Sequence, residues 1–346
     1  MGFQYRKGEE KILRLKREGM FYMTERERFI RTLRHQPITG HVPHFELVFY
    51  LTMEAIGKVH PLHRSYDQWG QMSAKEKELQ LQDMAGCYLQ IAEKYCHSAI
   101  FVHPNPGDFD SVVRLLQIIR ERSGDKYFLM MHGDTTYAMP DGDHMMEFSV
   151  QLAEEGELLK EQSRRTMDRA FDFARRLKEK DGGMLMDAFA LCSDYCFNVN
   201  PFFTKDAFAE FIAPVLKETI DTYRSMGYYS IKHTDGNIMP ILDQMISCKP
   251  DAFHSLDPQG GVDLKEMKRL CGQDIALIGN VNCGLLQTGS EEQVDADVRR
   301  ALRDGMPGYG YVFSTSNCAY TGLALERYER MWNIWREEGV YQPPKA

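Results

Sequence analysis

Apolar segments recur along the chain roughly every 25 to 45 residues, and a stretch of helical periodicity follows each one, the alternation that βα units produce. The apolar segments occupy residues 42–48, 98–103, 127–133, 184–191, 228–234, 252–257, 275–282 and 309–317. Helical patterns cover 74–95, 111–122, 144–180, 205–226, 264–270 and 291–304, with a last one at 323–338. Eight alternations predict an α/β fold in which a parallel sheet closes on itself, a TIM-type (β/α)8 barrel. No glycine-rich dinucleotide fingerprint follows the first segment. Ahead of that segment, Thr24 with Glu27 three places on predicts a capping box and a short amphipathic helix. The predicted organisation is a basic arm over residues 1–22 and one barrel domain over 23–346, with a helical N-terminal extension.

Composition narrows the function classes. At 346 residues, 43% hydrophobic and 27% charged, the chain can fill one barrel interior and bury a ring of helices. A formal charge of −8 and a pI near 5.8 give no basic footprint for nucleic acid or an anionic membrane surface. No apolar run approaches the roughly 20 residues of a membrane span, and the charged N-terminus has no apolar stretch behind it, so a cytoplasmic location is expected. The eight cysteines (Cys87, Cys96, Cys192, Cys196, Cys248, Cys271, Cys283 and Cys318) are scattered, which argues against a disulfide framework. The irregular interval 60–107 is a candidate lid or interface, and a homodimer is a possible assembly.

In such barrels the reactive groups follow the C-terminal ends of the strands. That rule selects Glu46, His103, His132, Asp134, Asp194, His233, Asp235, Asp257, Asn280, Cys283 and Cys318. His233-Thr-Asp235 is the sharpest feature, because alternate residues of an extended chain project to one side. With Cys318 arriving from another strand end, His233, a thiolate and a third donor from Glu46, Asp235 or Cys283 would make a zinc site with an open position. Asp194, His132 and Asp235 are the candidate catalytic groups, orienting substrate or moving a proton. Plainer roles compete. Cys318 and Cys283 could be small buried side chains, and Asp235 could cap a helix beginning at Ile238. Asp194 could close an Asx turn, and His132 and His103 could satisfy buried hydrogen bonds.

Several stretches carry a family resemblance: MTERERFIRTLRHQPITGHVPHFE, CSDYCFNVNPFFTKDAFAEFIAPVLKETID, IKHTDGNIMPILDQMISCKPDAFHSLDP, ALIGNVNCGLL and GYVFSTSNC. In order and context they resemble the uroporphyrinogen decarboxylase superfamily, which implies a β/α barrel. That superfamily holds both porphyrinogen decarboxylases and cobamide-dependent methyltransferases, so the motifs must choose the reaction. The decarboxylases carry an early Arg-Gln-Ala-Gly-Arg segment that binds substrate carboxylates. Here the corresponding stretch, HVPHFELVFYLTMEAIGK, has no arginine. The zinc methyltransferases use a His-x-Cys pair after the fifth strand and a Cys after the eighth, matched by His233 and Cys318, with Asp235 in place of the first cysteine. One thiolate fewer would make a bound zinc a stronger Lewis acid, suited to an oxygen-linked methyl donor.

The resemblance therefore implies a zinc-dependent methyltransferase of O-demethylase type, moving a methyl group from a methoxylated aromatic or similar small donor to the cobalt of a corrinoid. The corrinoid would come on a partner protein, because no Asp-x-His-x-x-Gly segment supplies its lower ligand. Three other functions remain open from sequence: methyl transfer from a methylcobamide to a thiol, metal-free decarboxylation of a small carboxylate through Asp194 and His233, and a non-catalytic corrinoid-binding subunit.

Overall fold

The computed structural model describes residues 23–341 other than 104, 182 and 184. The expected basic arm over 1–22 lies outside the described residues. Seven parallel strands run in chain order around the molecule: Ala99–Phe101, Phe128–His132, Ala188–Leu191, Tyr229–Thr234, Ala252–Ser255, Ala276–Val281 and Tyr311–Thr315. Each falls inside a predicted apolar segment. The eighth predicted strand, residues 42–48, is the exception, since it forms isolated bridges and no regular ladder.

That segment nevertheless closes the ring. Ser98 N–H donates to His44 O (2.7 Å) on one side, and on the other Phe313 N–H donates to Pro43 O (2.8 Å) and Phe45 N–H to Phe313 O (3.1 Å). Two features of the sequence interrupt the ladder. Pro43 has no N–H to give. Further on, the Glu46 carboxylate accepts from Thr315 N–H (3.3 and 3.4 Å) and from Thr315 Oγ1 (2.5 Å), so a side chain stands where a strand carbonyl would.

Alternation along the strands sorts residues between two layers. Phe45, Leu47, Ala99, Phe101, Phe128, Met130, Ala188, Ala190, Ile231, Ala252, Ala276, Ile278 and Val312 fill the barrel, alanines opposite aromatics giving the volume balance a closed core needs. The helix Glu25–Leu33 plugs one end, with Phe29 stacked on Phe128 at 4.6 Å. Burying Phe29 completely contributes about 1.5–3 kcal/mol. Its N-cap forms as expected, Thr24 accepting from Glu27 N–H (3.1 Å), whereas the Glu27 carboxylate turns to Arg31 (3.1 Å) and the reciprocal half of the box is not made.

The outer helices follow the predicted pattern with two differences. The predicted helix 144–180 is two helices, Met145–Glu154 and Gly156–Asp181. The stretch 205–226 contains a π turn at Phe208–Ile212 directly before Ala213–Ser225, where Pro214 can neither donate to nor pack against the carbonyl four residues back. Among the described residues, no helix is long and apolar enough to cross a membrane.

Candidate active and metal site

The strand Tyr229–Thr234 sends Ile231 and His233 into the barrel, while Lys232 lies in its wall. His233 is paired in register with His254 on the next strand, and their Nδ1 atoms are 2.8 Å apart, so one ring donates and the other accepts. His254 Nε2 in turn lies 3.5 Å from Ser314 Oγ. This contact fixes the His233 ring and leaves Nε2 facing two carboxylates, 3.8 Å from both Asp194 Oδ1 and Asp235 Oδ1. A cation held at Nε2 would need that atom's lone pair, which places the proton on Nδ1 and makes His254 the acceptor.

The two carboxylates come from neighbouring strand ends and are tied together. Asp235 N–H donates to Asp194 Oδ1 (3.0 Å). Ser255 Oγ donates to Asp235 Oδ1 (2.6 Å), and the Asn317 amide donates to Oδ2. Asp235 therefore does not cap the turn at Ile238; Asn237 Oδ1 accepts from Met239 N–H (3.2 Å) there instead. Gly236 makes the approach possible: its φ is +77°, and a Cβ would sit 2.6 Å from the carbonyl oxygens of Cys196 and Phe197.

Burial, and then the Asp194 charge, push the Asp235 carboxyl up to about 7. Burial pulls His233 down to about 4 despite the opposing pull of Asp194. The donor atoms of Asp194, His233 and Asp235 all lie within 4.8 Å of one another. One imidazole nitrogen and two carboxylate oxygens suit a divalent transition metal, and two acids this close are relieved by a positive charge between them. The residues therefore fit a bound divalent metal ion.

A second group of side chains holds the Asp194 loop. Asp134 accepts from Thr136 N–H (2.9 Å) and Thr136 Oγ1 (2.7 Å), and its other oxygen takes Ser193 N–H (2.8 Å) and Lys232 Nζ (3.0 Å). Lys232 is fully buried, also donates to Ser193 O (2.9 Å) and lies 4.1 Å from the Tyr195 ring centroid. Burial raises the Asp134 carboxyl, but Lys232 and the hydrogen bonds outweigh it and leave it below the usual range. The Asx turn considered for Asp194 thus belongs to Asp134, and Asp194 is presented to His233.

The remaining sequence candidates are spread around the mouth. Cys318 is partly buried at the rim, outside the three-residue group, and burial foremost pushes its thiol up to about 12. Cys283 is buried with its Sγ 3.8 Å from Cys318 O. Glu46 is buried in the seam, its oxygens occupied by Ser314 and Thr315. His132 packs against Phe101 (4.6 Å) and His103 (5.5 Å). Asp257 caps a turn through Gln259 N–H (2.9 Å), and Asn280 Nδ2 donates to Leu256 O (2.7 Å) while its Oδ1 accepts from Arg300 (3.0 Å). His254, Ser255, Asn317 and Lys232 were not among the sequence candidates. The one signal for Lys232 was a charge inside an apolar strand.

The uroporphyrinogen decarboxylase (URO-D) family profile matches residues 190–338, a stretch that includes Asp194, His233, Asp235, Cys283 and Cys318. A methyltransferase from Methanosarcina mazei is similar in structure, with a TM-score of 0.67 at 17% identity, covering 91% of this chain and 99% of its own. A D-psicose 3-epimerase aligns with a TM-score of 0.37 at 9% identity, over 75% of this chain and 90% of its own. No curated protein matches the chain.

Proposed function

From the premise that this chain belongs to the uroporphyrinogen decarboxylase superfamily, we propose that it is a zinc-dependent methyltransferase, moving a methyl group from a methoxylated aromatic or similar small donor to the cobalt of a corrinoid on a partner protein. The observation that carries the proposal is the His233 Nε2 atom, held by His254 and facing Asp194 and Asp235 at 3.8 Å. The arginine-free stretch 41–58 supports it against a porphyrinogen substrate, whose carboxylates would have no clamp. The likeness to the Methanosarcina mazei methyltransferase is in keeping with it.

His233, Asp194 and Asp235 are the proposed ligands, in place of the set of His233 and Cys318 with Glu46 or Cys283. A zinc ion there would act as a Lewis acid toward the ether oxygen, making it a better leaving group. His132, at the end of the strand Phe128–His132, is the proposed hydrogen-bond donor to that oxygen. A reduced corrinoid would supply the methyl acceptor, and in-line transfer to it would leave the electron pair on the ether oxygen, to which His132 would give the proton.

The test is metal analysis of dialysed, zinc-reconstituted protein beside an assay of methyl transfer from guaiacol to a reduced corrinoid protein. We expect about one zinc per chain, lost in His233→Ala and Asp194→Ala together with transfer, and retained in Cys318→Ser. Loss in Cys318→Ser would return the thiolate to the ligand set. A wild-type protein that takes up no zinc would overturn the site and favour the metal-free decarboxylase.

A further inference from the structure

The strand before His132 ends in a polar group that the proposed reaction does not use. His103 follows Ala99 and Phe101 on the inward-facing register of its strand and is 2% exposed. Its backbone N–H donates to the Tyr88 hydroxyl (3.2 Å). Among the described residues, neither of its ring nitrogens has a hydrogen-bond partner. Buried polar atoms are nearly always paired, so two bare nitrogens on one ring point to a ligand group that completes them.

The surroundings define what that group is. The His103 ring is boxed by Phe101, edge-on at 4.7 Å, by His132 at 5.5 Å and by His60 at 5.7 Å. Past His60 stand Tyr50, 5.1 Å away, and His63, which stacks on Tyr50 at 4.7 Å with the planes 6° apart. Of the rings that box His103, His132 is exposed, whereas Phe101 and His60 are each 4% exposed and packed on their neighbours, so an aromatic ring has only the His132 side to lie against. His103 and His60 border a cavity of about 30 Å³, room for a water-sized substituent and not for a second ring. Burial, reinforced by His132 and His60, pulls His103 down to about 2, so the imidazole is neutral, with one N–H donor and one bare acceptor. A carboxylate there would meet one donor and no positive charge, whereas a hydroxyl can serve either nitrogen.

We propose that His103 is a specificity-determining residue that takes the hydroxyl group of a neutral phenolic substrate into this small cavity, the arene staying outside it against the exposed His132 ring. The assignment rests on the methyl-transfer reading for the reaction but not for the binding. It selects, among methoxylated aromatics, those with a free hydroxyl and no carboxylate.

Calorimetric titration of the full-length, metal-free protein with guaiacol, its methyl ether veratrole and ortho-methoxybenzoate tests the assignment. Guaiacol should bind about tenfold more tightly than either, the range of one hydrogen bond made or missed at a buried site. In His103→Leu the preference should vanish, and in His103→Gln, which keeps a donor and an acceptor, part of it should return. Because His103→Leu removes two unpaired polar atoms, its Tm should stay level or rise, so lost binding is not lost folding.

Equal affinity for the three compounds, no binding of any, or a guaiacol preference that survives His103→Leu overturns the assignment, the last leaving a water as the partner of the ring. Transfer assays separate this from the function. If veratrole gives up its methyl group as readily as guaiacol, the methyltransferase reading stands and the role of His103 falls. If guaiacol binds through His103 and no methyl group moves, the reaction falls and the hydroxyl subsite stands.

Discussion

A neutral imidazole beside an acid that titrates near neutrality sets how a cation can bind at the barrel mouth. With His233 at about 4, its ring is deprotonated above about pH 5 and no proton stands in the way at Nε2. With Asp235 at about 7, its carboxyl is protonated below that pH and must release the proton when a metal arrives. Zinc affinity should therefore rise with pH up to about 7 and fall roughly tenfold for each unit below it, one proton displaced per ion. Calorimetry in buffers of different ionisation heat reads that proton. Asp235→Asn, having none to lose, should bind more weakly at pH 8 and with a flat profile between pH 5 and 7; a slope that persists would assign the proton to another group.

At the level of elements, the site depends on how the chain leaves the strand Tyr229–Thr234. The turn at Gly236 passes against the loop carrying Cys196 and Phe197, and Asn237 N–H donates to Phe197 O (2.8 Å). Gly236→Ala would combine an unfavourable positive φ with a backbone collision, so a loss of more than about 1 kcal/mol in urea unfolding is expected. It should weaken zinc binding as well, since Asp235 is the preceding residue. A variant as stable as the parent that still binds zinc normally would show that this loop yields without disturbing the acid. The same crossing explains how Asp194, on another strand end, reaches Asp235 N–H.

Across the whole molecule, the ring is weakest where the segment 42–48 forms isolated bridges in place of a regular strand. The last helix, Leu325–Glu338, covers that seam: Trp335 donates from Nε1 to Val42 O (3.1 Å) and packs on the His44 ring at 4.9 Å. Trp335→Ala should cost about 3–5 kcal/mol, the range for emptying a buried tryptophan site. Urea unfolding followed by circular dichroism measures it, and a change below about 1 kcal/mol would mean that the strand bridges alone hold the ring.

Periodicity in the sequence determined the barrel, because each apolar run must be buried on both sides in a closed parallel sheet and each helical stripe on one. All seven regular strands lie where the runs predicted them, and only Pro43 and Glu46 break the eighth. Alternation likewise placed His233 and Asp235 together, since Asp235 directly follows the strand that ends at Thr234 and lies two residues from His233. Tertiary structure alone decided the rest. Asp194, Asn317 and Ser255 meet Asp235 through strand order and loop crossings, which local spacing does not encode. Lys232 and Asp134, 98 residues apart, become partners only when their strand ends share a wall. The ring nitrogens of His103, without a partner among the described residues, are the plainest case, for a histidine in the sequence carries no sign of which of its atoms will be paired once it is buried. Hydrogen-bond satisfaction is a property of the closed barrel, and it exists only after the whole chain has folded around the residue.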